Sequence, residues 1–144
     1  MSADMKKAPR LPQTVLVVED DVVLALNIEE ALLSAGVARV ELTSTTDDAL
    51  LALREMTPDA IVLDVHLADR DDGWAIAELV ETLGPDRPQV IFSTGSPKDI
   101  PEKIASMGVV LTKPYDTDEL LIALREPEAR GLFSRLRKVL RPAP

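Results

Sequence analysis

The sequence predicts an α/β domain built on a doubly wound, five-stranded parallel sheet with helices on both faces. Short apolar runs of strand length alternate five times with segments of helical periodicity. One of these runs, residues 60–63, is apolar throughout, which is typical of a strand buried on both faces of a parallel sheet. Right-handed crossovers between successive strands then leave few possible topologies.

The five strand–helix units follow one another along the chain. The predicted strands are residues 14–18, 38–42, 60–63, 90–93 and 109–111. The predicted helices begin at residue 20 or 21 and end near 34, then cover 48–56, 73–83, 97–106, and 116 or 117 to 126. In the fourth helix the prolines stand at early positions, where a helix tolerates them. The first helix is expected to bury one stripe: Val23 or Leu24, Leu26 or Asn27, Ile28, Ala31, Leu32 and Ala35.

The length of 144 residues predicts one domain, residues 14–127, with two appended segments. Residues 1–13 are polar and contain two prolines, which favours a flexible N-terminal tail. Residues 128–144 predict a basic amphipathic C-terminal helix, because apolar residues recur at helical spacing among arginines and lysine. These apolar residues are Leu132, Phe133, Leu136, Val139 and Leu140.

Charge is unevenly distributed along the chain. The formal net charge is −9, but residues 128–144 carry +4 and residues 1–13 carry +2, which leaves about −15 on the body. An acidic body argues against nucleic-acid binding by the domain and favours cations or basic partners. The sequence contains no cysteine, no apolar run of membrane-spanning length and no signal-peptide core, so we expect a cytoplasmic protein.

Three uses of residues 128–144 remain open from the sequence. The segment could fold against the acidic body, or it could dock on a partner or form a homodimer. It could also lie on an anionic membrane surface. Of these uses, we expect packing or dimerisation rather than membrane binding.

Acidic residues follow two of the predicted strands. Glu19 and Asp20 follow the first strand, and Asp64 follows the third. The carboxyl ends of parallel strands meet at one edge of a sheet, where carboxylates repel each other unless a cation lies among them. Mg²⁺, a hard cation that prefers oxygen ligands, suits this arrangement. The alternative is that Glu19, Asp20 and Asp21 only cap the following helix, where acids favour the N-terminal dipole.

The other strand ends supply residues suited to phosphoryl chemistry. Thr94 follows the fourth strand and offers a hydroxyl, and Lys113 follows the fifth and offers a point charge to phosphoryl oxygens. Asp64 can act as a carboxylate nucleophile that forms an acyl phosphate. Neither glycine-rich nucleotide-binding fingerprint is present. The coincidence of these residue types at the strand ends is far more specific than any one of them.

Four segments carry a resemblance to a known family: residues 15–21, 61–64, 91–95 and 111–115. The sequence resembles the receiver domain of two-component response regulators over about residues 14–126. The resemblance implies a flavodoxin-like sheet of order 2-1-3-4-5. It implies that Asp64 is the phosphoacceptor, supplied by a histidine kinase or a histidine phosphotransfer protein.

The same resemblance assigns the other site residues. Glu19, Asp20 and Asp64, with the backbone carbonyl of His66, would hold Mg²⁺. Thr94 would be the switch hydroxyl and Lys113 the lysine of the site. The bond between Lys113 and Pro114 is expected to be cis.

Three features depart from the family pattern. Ala68 stands where the family often has a proline, and the segment from residue 64 to 73 looks about one residue longer than usual. Val110 stands where the family has its switch aromatic, so any conformational switch must use other parts of the molecule.

The sequence therefore predicts a single-domain response regulator. It would be a signalling domain rather than an enzyme, taking up and losing its phosphoryl group by self-catalysis. It would act through an unknown downstream protein or a phosphorelay. The alternative is a receiver-like interaction module that works without phosphorylation. A phosphatase is disfavoured because Val65-His66 stands where a second carboxylate would act as general acid.

Overall fold

The computed structural model describes residues 11–66 and 74–125, which form alternating strands and helices. The strands are β1 Thr14–Val18, β2 Arg39–Thr43, β3 Ala60–Asp64, β4 Gln89–Thr94 and β5 Val109–Thr112. The α-helices are α1 Val22–Ala35, α2 Thr46–Glu55, α3 Trp74–Glu81, α4 Glu102–Ala105 and α5 Thr117–Arg125. Single 3₁₀ turns occupy Gly84–Asp86 and Pro97–Asp99.

All five strands are parallel and stand in the order β2-β1-β3-β4-β5, which confirms the predicted fold. The register pairs Val18 with Leu63 and Asp64 with Ser93. The carboxyl ends of the three central strands therefore lie side by side.

The sheet separates two apolar layers. Ile61 and Leu63 pack with α2, α3 and α4 on one face, whereas Ala60 and Val62 pack with α1 and α5 on the other. Successive side chains of a strand point to opposite faces, so this central strand must be apolar throughout. The predicted burial of residues 60–63 on both faces is confirmed.

Helix α1 is fixed at both ends. The Asp21 carboxylate accepts a hydrogen bond of 3.2 Å from the Leu24 amide, and Gly36 ends the helix at a φ of 111°, which favours glycine. The helix buries Ala25, Ile28 and Leu32 against the sheet. The predicted stripe is confirmed at Ile28 and Leu32. At its N-terminal end Leu24 is partly buried, but Val23, Leu26 and Asn27 are exposed, and Ala25, which the prediction left out, is buried instead. Ala25, Ile28 and Leu32, which are three and four residues apart, lie on the side of the helix that faces the strands.

The connection between β4 and β5 corrects another prediction. A single helix over residues 97–106 was expected, but the chain forms a 3₁₀ turn followed by the four-residue helix α4. Ile100 is extended because it precedes Pro101, and a residue before proline avoids the helical region. The helix begins again after Pro101.

Several predictions concern residues outside the ranges 11–66 and 74–125 that the structure describes. Most of the predicted N-terminal tail and the predicted helix in residues 128–144 lie outside the described residues. Ala68 and the other residues from 67 to 73 lie outside them as well. Within residues 11–66 and 74–125, no helix combines the length and apolar character needed to cross a bilayer.

Candidate functional site

Three carboxylates converge at the carboxyl edge of the sheet. Glu19, Asp20 and Asp64 each place an oxygen within 4.8 Å of the others. Glu19 and Asp64 are buried, whereas Asp20 is exposed. Asp21 caps α1 and its amide donates to a Glu19 carboxylate oxygen at 3.1 Å. Both interpretations of the acidic stretch therefore hold for different residues: Asp21 caps α1, whereas Glu19 and Asp20 line the edge of the sheet.

Lys113 enters this cluster from β5. Its Nζ lies 2.9 Å from Glu19 Oε1 and 3.5 Å from Asp64 Oδ2. The Lys113 amide donates to the Thr94 carbonyl at 2.7 Å, which extends the pairing of β4 and β5 by one residue. The bond between Lys113 and Pro114 is cis, as predicted. The ammonium group thus bridges two buried carboxylates.

Thr94 and His66 border Asp64 in different ways. Thr94 is buried, and its Oγ accepts a hydrogen bond of 2.9 Å from the Ser96 amide, which leaves the hydroxyl proton available to donate. The His66 amide donates to Asp64 Oδ1 at 2.9 Å. The His66 ring is half-exposed and points toward Asp99, with Nε2 3.8 Å from a carboxylate oxygen. The backbone of His66, rather than its ring, is therefore the part that contacts the site.

The electrostatics of the cluster follow from burial. Desolvation, with a smaller contribution from the nearby Asp64 carboxylate, raises the pKa of Glu19 from 4.5 to about 7 against the opposing hydrogen bond with Lys113. Burial lowers the pKa of Lys113, but its contacts with Glu19 and Asp64 outweigh burial and leave the pKa above its usual value. One ammonium does not neutralise three carboxylates, so this edge of the sheet has an excess of negative charge.

The donor set fits a divalent cation. Three carboxylates within 4.8 Å offer only hard oxygen ligands, and the exposed Asp20 opens the cluster to solvent. Mg²⁺ prefers oxygen ligands and keeps part of its water shell, which an open site permits. A cation would also relieve the repulsion that favours a proton on Glu19.

The sequence interpretation missed one pair of residues beneath the site. The hydroxyl groups of Ser93 and Tyr115 lie 2.9 Å apart, and Ser93 is the residue of β4 that pairs with Asp64. Burial raises the pKa of Tyr115. A signal was available, because alternation along β4 turns Ser93 away from the face that holds Phe92, and a buried hydroxyl needs a partner.

Glu19→Gln should remove a pH-dependent loss of stability from the metal-free protein. Because the pKa of Glu19 is about 7 in the folded chain and its ordinary value is 4.5, the folded chain binds the proton more tightly. The stability gained from that proton is full below the lower value and is lost as the pH rises through the higher one. We expect the free energy of unfolding to shift in favour of the variant by on the order of 2 kcal/mol from about pH 4.5 to about pH 8.

Urea unfolding of both proteins in EDTA measures this shift. The wild type must be compared with the variant at each pH, because other groups titrate in both proteins. An equal difference at the two pH values would contradict the raised pKa of Glu19.

Comparison with protein families gives a match over most of the chain. The family model described as response regulator receiver domain matches residues 15–125. Among curated relatives, TcrX of Mycobacterium tuberculosis, named a probable transcriptional regulatory protein, is 31% identical over 126 residues. That alignment covers 84% of this chain and 52% of TcrX. This chain spans about half the length of the first curated relatives that it matches.

Solved structures show the same architecture. The receiver domain of the sensor histidine kinase PA1611 from Pseudomonas aeruginosa, solved with a magnesium ion in its active site cleft, is 27% identical with a TM-score of 0.67. The match covers 79% of this chain and 95% of that one. A CheY-like receiver domain from Methylobacillus flagellatus has the same TM-score, covers 83% of this chain and 98% of its own, and is 24% identical. At that identity the likeness concerns the fold alone.

Proposed function

The chain belongs to the family of response regulator receiver domains, and from this premise we propose that Asp64 accepts a phosphoryl group in a Mg²⁺-dependent reaction. The observation that carries the proposal is the convergence of the three carboxylates and Lys113 at one edge of the sheet. The phosphodonor would be a histidine kinase or a histidine phosphotransfer protein. The phosphorylated domain would then signal to a downstream protein or pass the group on in a phosphorelay.

In the transfer step a carboxylate oxygen of Asp64 attacks phosphorus. The new bond joins that oxygen to phosphorus, and the bond between phosphorus and the donor imidazole nitrogen breaks. The imidazole keeps the electron pair and takes up a proton. Asp64 Oδ1 already accepts a hydrogen bond from the His66 amide, which holds the carboxylate in one orientation.

The remaining residues stabilise charge on the phosphoryl oxygens. The Lys113 ammonium lies 3.5 Å from Asp64 Oδ2, within reach of a group attached to that carboxylate. The Thr94 hydroxyl proton is available to a phosphoryl oxygen because its oxygen already accepts from Ser96. Glu19, Asp20, Asp64 and the His66 carbonyl would hold Mg²⁺, which supplies charge neutralisation at the transferred group. The same groups would support self-catalysed loss of the phosphoryl group to water.

A small phosphodonor tests the proposal without knowledge of the cognate kinase. Purified protein incubated with acetyl phosphate and Mg²⁺ should gain the mass of one phosphoryl group, and EDTA should slow the gain by more than about tenfold. Intact-mass measurement over time gives both rates. Labelling that is independent of Mg²⁺ would contradict the assigned role of the three carboxylates.

One observation favours the alternative, a receiver-like module that binds its partner without phosphorylation. Val110 is buried in the layer of α2, α3 and α4 where the family places its switch aromatic. Equal partner affinity for the wild type and for Asp64→Asn and Asp64→Glu variants would favour this alternative over the phospho-switch.

A further inference from the structure

Helix α1 exposes large apolar side chains. Val22 is 66% exposed, Leu26 is 51% exposed and Leu33 is 47% exposed. At 3.6 residues per turn, these three side chains lie within about 40° of one another around the helix axis. They form a narrow stripe along the helix, called the α1 stripe below. An apolar stripe of this kind on a water-facing helix is typical of a surface that binds something.

The charges on α1 have a single sign. Glu29 and Glu30 are its charged residues, and the helix contains no lysine or arginine. Measured around the axis from Val22, Glu29 lies about 20° to one side, and Glu30 lies about 80° to the other side, beyond Leu26 and Leu33. The α1 stripe is therefore bordered by a carboxylate on each side. Its complement is a segment with an apolar face and basic flanks.

Residues 128–144 of this chain have that composition. They contain five basic residues against one acidic residue. Apolar residues at helical spacing lie between these charges, as described above. An apolar face flanked by positive charge matches the α1 stripe in both respects.

The basic segment follows α5, which ends at the edge of the sheet where the strands begin. Helix α5 ends at Arg125, next to Leu124, whose carbonyl accepts a hydrogen bond of 3.1 Å from Gln89 at the start of β4. Helix α1 ends at the same edge, since the Ala38 amide just beyond it donates to the Gln13 carbonyl before β1. The carboxyl-terminal end of the α1 stripe thus lies at the edge where α5 ends.

A short tether joins α5 to the first apolar residue of the basic segment. Six residues separate Arg125 from Leu132, and an extended chain of that length spans about 20 Å. A tethered segment experiences an effective concentration in the millimolar range, so a weak contact suffices to hold it.

We propose that the basic segment of residues 128–144 binds the α1 stripe of its own molecule, with its basic side chains against Glu29 and Glu30. This contact goes beyond the phosphoacceptor function and does not depend on it.

Disulfide trapping in the full-length chain tests the proposal, because the sequence contains no cysteine of its own. Leu33→Cys is combined in turn with Leu132→Cys, Leu136→Cys and Leu140→Cys. Mild oxidation should give an intramolecular disulfide, read as monomer on a non-reducing gel and by intact mass. We expect at least one pair to form about tenfold faster than its control.

The matched control is Ile122→Cys on α5, which is 44% exposed. It is combined with the same three tail variants. A segment that binds nothing would encounter Ile122 at least as often as Leu33, because Ile122 is nearer along the chain. Equal rates, or faster trapping at Ile122, would overturn the proposal. Disulfides between two molecules at Leu33 would overturn it in favour of a second copy as the occupant.

The charge contribution is measured in the fastest-trapping Leu33 pair. Replacing both Glu29 and Glu30 with lysine should slow trapping severalfold, because it places like charges on the two surfaces. An unchanged rate would overturn the assignment of the basic residues to these two glutamates.

Discussion

Asp64→Asn should abolish phosphorylation by acetyl phosphate, with labelling below about one hundredth of the wild-type level after equal times. The asparagine amide is a poor nucleophile and carries no charge, so the acyl phosphate cannot form. The fold should survive, because the amide retains an oxygen that can accept the hydrogen bond from His66. Intact mass and far-UV circular dichroism of the same sample separate loss of chemistry from loss of structure.

Asp116→Asn is the matched control for this variant. Asp116 is exposed and lies three residues after Lys113, so it samples the same edge of the sheet without belonging to the acidic cluster. Labelling of the control should equal that of the wild type. Persistent labelling of Asp64→Asn, with the modification mapped elsewhere, would reject Asp64 as the acceptor.

Gly108→Ala should destabilise the fold by about 3 kcal/mol or more. Gly108 lies directly before β5, and a methyl group there would overlap the backbone carbonyl of Val90 in β4. Backbone atoms cannot rotate away as a side chain can, so the two strands would have to separate. That movement would also disturb the hydrogen bond between the Lys113 amide and the Thr94 carbonyl.

Gly95→Ala separates this overlap from the general effect of replacing glycine. Nothing lies within 4 Å of the position that a methyl group would take at Gly95, which follows β4. Urea unfolding monitored by circular dichroism should give a midpoint near that of the wild type for Gly95→Ala and a much lower one for Gly108→Ala. Similar midpoints for the two variants would show that β4 and β5 tolerate the methyl group.

The sheet and the clustering of Glu19, Asp64 and Lys113 could be predicted because both follow from simple rules. Alternation of apolar runs and helical segments fixes a parallel sheet, and a parallel sheet places all strand ends at one edge. The residues that follow each predicted strand were therefore enough to indicate that Glu19, Asp64 and Lys113 lie close together. The roles of these residues in phosphoryl transfer remain proposals that the labelling experiments test.

What the sequence did not predict depends on tertiary contacts. The exposure of Val23 and Leu26 depends on which arc of α1 faces the strands, and apolar residues in α1 are too numerous for periodicity alone to decide. The break at Pro101 is the exception, because a residue before proline avoids the helical region and local sequence alone could have indicated an extended Ile100. The raised pKa of Glu19 depends on burial of its side chain beside Asp64 at the edge of the sheet, which no single segment encodes.

The end of β4 has a consequence for how a structural change beside Asp64 would spread through the domain. Ser93 and Thr94 are consecutive residues and therefore point to opposite faces of the sheet. Thr94 lies on the side of α2, α3 and α4, whereas Ser93 and its partner Tyr115 lie on the side of α1 and α5. A displacement of this strand end would therefore move side chains in both apolar layers. The contact between Ser93 and Tyr115 lies on the opposite face of the sheet from Val110. A small side chain at Val110 therefore does not alter that contact.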